Sequence, residues 1–528
     1  MSSIPSPATA FERADVLPAP WRRHLLRGWA ALLVAALFVY GLMAIDAGIS
    51  NYTSAGDPSV AAAREAAKAA VDRGERIDSQ GLGDAVRYQT LTLVAWLNSE
   101  RYAYGENGLI ETLVHYATMP TLNAKILALH NVLGGFCMLF GAIQFWPAMR
   151  RSHPRWHRAF GMSYVIGAQV AMVAAASYLL LTPVDKIYDQ MTFWVLLWAM
   201  AVGVTVTLWL AMYHLWRGEI AQHQGYMCLN YGLLLTAPVL RLAWVGMGWI
   251  DPAARQIEGA FAAHAILVPL SLLCGYALFV VNRWSQRDRT LPATVRAEPQ
   301  SLWSQGLTVG VVLVLIASAL LLVQHLVVTP GLSTLDQAQV WMPAGLLALD
   351  QRVLVEQSML RLVFAGASVL GLLIGAWRLW GSRLQSRQRP LFDKRSSWAL
   401  AAAAAVGAVV QLIWGVAMGV PSFATLTGGT LWVFGGLVTL CFAALLAWAA
   451  ARGLDSWADE WAVFVLTCLV AIPSLYVLLP LVSAFEPAPM FVAAGHVYRT
   501  AGVLQWSLLA VPFVCAMHNR VTRSKYAR

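Results

Sequence analysis

The chain has 528 residues, of which 59% are hydrophobic and only 12% charged, and Lys plus Arg outnumber Asp plus Glu by 37 to 27 for a net charge of +10 at pH 7. So few charges cannot cover the surface of a soluble protein of this length, which excludes an ordinary soluble domain and defines a polytopic membrane protein. The basic residues cluster beside apolar runs, so the positive balance reads as membrane topology and no nucleic-acid partner is expected.

Apolar runs near twenty residues recur along the chain, each long enough to cross a hydrocarbon core of about 30 Å at about 1.5 Å per residue. Twelve helices are predicted, at approximately 28–46, 123–147, 159–182, 192–214, 226–248, 260–281, 304–327, 358–380, 397–419, 427–450, 460–483 and 497–518. The fold class is therefore all-α, a polytopic helical bundle in contact with the lipid bilayer. The residues before the first run are polar and proline-rich, and no small-residue cleavage site follows it, so that run reads as an uncleaved anchor. Segment 47–122 then carries an Ala-rich amphipathic stretch, Val60 to Val71, and an aromatic stretch from Tyr88 to Tyr104, expected to form a small helical cap. A second long segment, 328–357, precedes the eighth helix.

Arginines fall in alternate loops. Arg22, Arg23 and Arg27 precede the first helix. Arg150, Arg151, Arg155 and Arg158 follow the second, Arg283, Arg287, Arg289 and Arg296 the sixth, and Arg383, Arg387, Arg389, Lys394 and Arg395 the eighth. Arg520, Arg523, Lys525 and Arg528 close the chain. By the positive-inside bias both termini are cytoplasmic and 47–122 is exported, in a bacterial inner (plasma) membrane. Cys137, Cys228, Cys274, Cys441, Cys468 and Cys515 all lie in predicted spans without a C-x-x-C, and read as small packing residues.

Helix order suggests a duplication, with residues 1–300 forming one six-helix unit and 301–528 a degenerate copy. Each half has one helix, a long exported segment, then five more helices. Gly141 to Trp146 matches Gly375 to Trp380, and "FAAH" at 261–264 matches "AAGH" at 493–496, pairing His264 with His496 and His130 with Phe364.

The chemistry gathers in the first half. From His130 to the flank at Arg150 is about 30 Å of helix, from His264 to Arg283 about 28 Å, and from His223 to Arg241 about 27 Å. His130, Arg241 and His264 thus share one level, and His157 with His223 the other. Ionisable groups are costly in a bilayer, so their default reading is functional. Two neutral imidazoles from different helices can ligate a haem iron on both faces. The expected metal-ligating pairs are His130 with His264 outside and His157 with His223 inside, with Arg241 available to a propionate. Gly134, Gly135, Gly161, Gly225 and Gly232 offer clearance for a flat macrocycle, although glycines in membrane helices also serve close packing. His24, His115, His153, His214, His325 and His518 read as solvated or headgroup-facing residues of flanks and loops. There is no H-E-x-x-H, no phosphate-binding loop and no mid-membrane carboxylate, which weakens hydrolytic zinc, ATP-driven and proton-coupled transport readings.

The run H-N-V-L-G-G-x-x-x-L-x-G-A-I-Q-F from His130 to Phe145, then R-R-S-H-P-R-W-H-R-A-F-G-M-S-Y from Arg150 to Tyr164, then H-Q-G-Y-M from His223 to Met227 followed by Arg241, resembles the bacterial membrane family catalogued as domain of unknown function 2306. The likeness covers about residues 120–285, and Tyr226 stands where the family has Trp. It implies a membrane-helical architecture and no activity. A more distant, fold-level similarity is to two-haem transmembrane cytochromes b of the ascorbate-reducing type.

The expectation is transmembrane electron transfer through two bis-histidine b-type haems, exchanging electrons with a quinone or a periplasmic redox partner. Alternatives are a non-redox carrier or sensor of a small molecule or proton, and a membrane assembly factor. The arginine pattern makes its own prediction: a reporter fused after Arg528 is active when it requires the cytoplasm and silent when it requires export, and the reverse result overturns the orientation.

Overall fold

A computed structural model describes residues 20–73, 89–99, 102–103, 119–285, 302–382 and 390–525. The aromatic stretch at 88–104 lies only partly within them, and His115, Arg287, Arg289, Arg296, Arg383, Arg387, Arg389 and Arg528 lie outside. Helices are the regular elements of the described residues, which contain no strand. They divide into two compact units, 1–263 with 270–293, and 264–269 with 294–528.

The first unit begins with α1 (Pro20–Ser54), α2 (Pro58–Asp72), which is the expected Ala-rich helix, and α3 (Gln89–Leu97). It continues through α4 (Thr121–Gln144), α5 (Pro147–Ser152), α6 (Pro154–Leu181), α7 (Gln190–Trp216), α8 (Ile220–Leu234) and α9 (Thr236–Ile250) to α10 (Gln256–Ser285). The second unit contains α11 (Leu302–Val323), α12 (Ala338–Trp341), α13 (Ala344–Asp350), α14 (Ser358–Ser382), α15 (Lys394–Met418), α16 (Thr430–Arg452), α17 (Asp455–Ser483), α18 (Pro489–Ala493), α19 (His496–Ser507) and α20 (Ala510–Lys525). Among the described residues eleven helices are long and apolar enough to span a membrane, and α8 with α9 make a twelfth if that bent pair is one span. Outward-facing Leu180, Leu307, Leu320 and Val416 would be a liability in water and are at home against lipid chains.

The fifth predicted helix, 226–248, is not straight. It breaks by 47° between α8 and α9. Pro238 explains the break: it has no N–H to return to the carbonyl of Leu234, four residues back, and its ring crowds that carbonyl.

Glycines set the closest helix contacts. A Cβ on Gly135 of α4 would lie 2.7 Å from the Gly41 carbonyl of α1, and one on Gly232 of α8 would lie 2.5 Å from Gly275 Cα of α10. These two glycines are packing residues rather than clearance for a macrocycle, which corrects the sequence expectation. Around them a polar network is sealed into the unit. The Tyr164 hydroxyl donates to Asn230 Oδ1 at 2.6 Å, and Asn230 Nδ2 donates to the Val204 carbonyl and Thr207 Oγ1. Tyr231 donates to the Met138 carbonyl at 2.9 Å. Four helices, α4, α6, α7 and α8, are thereby tied by groups that would otherwise be orphaned in a low dielectric.

Segment 328–357, expected to be a long connection, is packed. It opens with a π turn at Gln324–Val328 and closes with another at Gln351–Val355, and between them it buries Leu332, Trp341, Met342, Leu346 and Leu349. One turn is built twice. Thr182–Gln190 and Thr329–Gln337 each run Thr-Pro, a 3-10 turn (Val184–Lys186, Leu332–Thr334) and Asp-Gln, with positive φ at Asp189 (55°), Gln190 (46°) and Gln337 (61°). The first copy follows the third helix of its half and the second follows the first helix of its half, so this motif is not carried by the six-plus-six alignment.

Tyr164→Phe should cost about 1 kcal/mol and Asn230→Leu about 2 kcal/mol, because the second removes three hydrogen bonds rather than one. Unfolding midpoints of the detergent-solubilised chain measure this. Equal midpoints for wild type and Asn230→Leu would mean that the network contributes nothing.

Candidate functional site

Two of the predicted ligands are held in the same way. His130, half-buried on α4, places Nδ1 2.9 Å from the Ala171 carbonyl of α6. His223, in the first turn of α8, places Nδ1 3.0 Å from the Ala211 carbonyl of α7. A carbonyl oxygen only accepts, so in both rings Nδ1 carries the proton and the Nε2 lone pair is left for another partner. A backbone bond of this kind fixes the tautomer and orientation of an imidazole and raises its basicity as a ligand.

His157 is arranged differently. It is half-buried at the start of α6, where Gln144, the last residue of α4, reaches it. The amide orientation that satisfies its surroundings has Gln144 Nε2 donating to the His157 carbonyl and to His157 Nδ1, and Gln144 Oε1 accepting from the Gly161 N–H at 3.2 Å. With Nδ1 as acceptor, the His157 ring proton sits on Nε2. A half-turn of the Gln144 amide reverses this assignment.

His157 and His223 lie within electrostatic reach of one another and of Arg150. Arg150 donates to Asn282 Oδ1 at 3.0 Å, which anchors a positive charge at this level. Sequence reasoning used Arg150 for topology alone and missed it here. It also misread His214. That ring is not solvated, because it bonds Glu219 Oε2 through Nδ1 at 2.7 Å, stacks on Tyr226 with centroids 5.3 Å apart, and interacts with His223. The signal was available in the spacing: Glu219 follows His214 by five residues across the tight Gly218 turn (φ 72°).

At the other level, Arg241 of α9 is half-buried, with its guanidinium 5.2 Å from the centroid of Trp244. His264 of α10 is fully buried, and its segment, 264–269, falls in the second unit whereas His130 falls in the first. His496, its expected counterpart, is buried behind Gly495 (φ 75°) with Phe491 set edge-on at 5.8 Å. One turn from His130, a Cβ on Gly134 would meet nothing within 4 Å. A cavity of about 290 Å³ near the start of α4, bordered by Asn51, Arg64, Asp57 and Thr121, includes none of the four histidines.

The fold defines an all-helical polytopic membrane protein, whose first unit brings His157 and His214 within electrostatic reach of His223. Residues 127–278 match the model of a family described as "Predicted membrane protein (DUF2306)", within the 120–285 read from the motifs. No curated protein and no solved structure matches the chain.

The two neighbouring glycines behave oppositely. Gly135→Ala drives a methyl into α1 and should lower the unfolding midpoint by the equivalent of about 1–3 kcal/mol, whereas Gly134→Ala should be neutral or stabilising by up to about 1 kcal/mol. Thermal melts in detergent distinguish them, and a larger loss at Gly134 contradicts the packing described.

Proposed function

We propose that the first unit passes electrons across the membrane through b-type haem held by its histidines. The observation that carries this reading is the shared posture of His130 and His223, each with Nδ1–H committed to a backbone carbonyl and Nε2 free to ligate. Bound haem would supply a one-electron couple, and two imidazoles per iron leave no open coordination site for other chemistry.

His130 and His223 act as the anchoring ligands of this proposal, and His157 is the expected partner of His223. His157 joins only when Gln144 turns its amide so that Oε1 receives the Nδ1 proton, which exposes the Nε2 lone pair. Arg150, held by Asn282 beside His157 and His223, neutralises a propionate at that level, and Arg241 serves the His130 level. The arginine pattern assigns Arg150, His157 and His223 to the cytoplasmic face of a bacterial inner membrane. Electrons then run between that side and a quinone or a periplasmic redox partner. The likeness to two-haem transmembrane cytochromes b supports this reading as analogy.

Protein purified from haem-replete cells should show, on dithionite reduction, the sharp α-band of six-coordinate b-type haem, with about two haems per chain. His130→Ala and His223→Ala should each remove a different component, while the exposed His153→Ala leaves the spectrum intact. A folded, colourless preparation overturns the proposal.

A further inference from the structure

The second unit contains a small, mostly apolar cavity with a few polar groups on its wall, which the histidine chemistry does not touch. It has a volume of about 30 Å³ and is bordered by Asp350, Tyr476, Tyr498 and Gln505, with Trp432 and Leu354 among its apolar walls. A volume of this size admits about one water-sized occupant. Asp350 ends α13, directly precedes the π turn Gln351–Val355 and is 5% exposed. Its Oδ2 accepts from the Leu332 N–H at 2.7 Å. Gly331 permits that bond: at φ 99° it turns the chain toward the carboxylate, and a Cβ there would sit 3.2 Å from Oδ2.

Gln505 is 3% exposed, borders the same cavity, and its Oε1 has no hydrogen-bond partner. An acceptor left unpaired beside a buried carboxylate is costly unless a donor or a cation completes it. The charged and titratable groups around Asp350 do not supply one. Tyr476 of α17 and Tyr498 of α19 are within its electrostatic reach, and His325 stacks on Tyr476 with centroids 4.0 Å apart. His325 was expected to be solvated; instead it sits in the first π turn against this wall. Arg352, on the same π turn as Asp350, is exposed, and Arg361 of α14 donates to the carbonyls of Leu354 and Val355. The cavity lining from α15 and α16 includes Met418, Leu431 and Trp432, none of them titratable, and no Lys or Arg borders the cavity.

We propose that this cavity binds one dehydrated monovalent cation of sodium size, in exchange for a proton on Asp350. The ligand set is carboxylate, amide and phenol oxygen, which suits a hard cation. One carboxylate balances one positive charge, and a divalent ion would leave half its charge uncompensated in a low dielectric. Magnesium keeps several of its waters and calcium takes six to eight oxygens, neither of which this volume accommodates.

Proton competition follows from the carboxyl's own equilibrium. Burial pushes Asp350 up to about 6, against the downward pull of the Leu332 N–H. Because this folded-state value lies above the unfolded one, the ionised carboxylate destabilises the fold at neutral pH, and that penalty is relieved as pH falls through about 6. A bound cation relieves it at neutral pH instead.

The test is independent of the haem reading, since it uses the second unit and a thermal and binding readout. The full chain in detergent is melted at equal ionic strength in sodium chloride or choline chloride. At pH 7.5 sodium should raise Tm, at pH 5 the two salts should coincide, and Asp350→Asn should be insensitive to sodium at both. Gln505→Leu should weaken the half-saturating sodium concentration about tenfold, the cost of one lost oxygen ligand. Identical melts of the wild type in both salts at pH 7.5, or a sodium shift that persists in Asp350→Asn, overturn the proposal. If Asp350→Asn does not fold, radioactive sodium binding to the wild type decides: one ion per chain displaced at pH 5 supports the site, and no bound sodium means that the cavity holds water beside a neutral carboxyl.

Discussion

A polar side chain inside a bilayer must find its hydrogen-bond partner within the protein, and the first unit is organised around that requirement. The bond between Tyr164 and Asn230 joins α6 to α8, and Asn230 continues it to α7 through Val204 and Thr207. The same three helices carry the backbone carbonyls and rings of the histidine arrangement: Ala171 on α6, Ala211 on α7, and His223 on α8. The posture of the imidazoles is thus supported by a network about one to two turns away. Tyr231, which borders the same core, ties in α4, the helix of His130. A rigid polar centre and two preset rings are parts of one construction.

The span count and the order of helices were legible because apolar runs of this length have no other stable solution in a chain so poor in charge. The break at Leu235 was legible in principle, since Pro238 stands inside the run, yet proline in membrane helices often bends rather than divides them. Segment 328–357 was not legible. Its apolar residues come in groups of two to four, too short for a span and too irregular for one amphipathic face, so only its packing against neighbouring helices shows that it is buried. Asp350 was hidden for the same reason: in sequence it sits in a loop, where a carboxylate attracts no notice.

The candidate site divides along a similar line. Residue type and depth named His130, His157, His223 and His264, but which ring nitrogen holds the proton depends on a partner many residues away. Ala171 and Ala211 act through carbonyls that any residue could supply, so no side-chain pattern marks them. Gln144 does act through its side chain and lies within the motif from His130 to Phe145, yet its role appears only when the end of α4 meets the start of α6. Glycine was ambiguous in the same way: Gly134 and Gly135 are adjacent in sequence and opposite in function, one facing open space and the other a carbonyl of α1.

The two π turns that bracket 328–357 carry a consequence for mobility. Each accommodates one residue more than the α-helical ladder requires, so the surplus can migrate along a helix by exchanging one hydrogen bond at a time. Such a migration rotates the side chains it passes by roughly a quarter-turn and leaves the helix ends in place. His325 rides on the first π turn and Asp350 directly precedes the second. The aim of both side chains can therefore change as a local slippage of register, without any span having to tilt or slide.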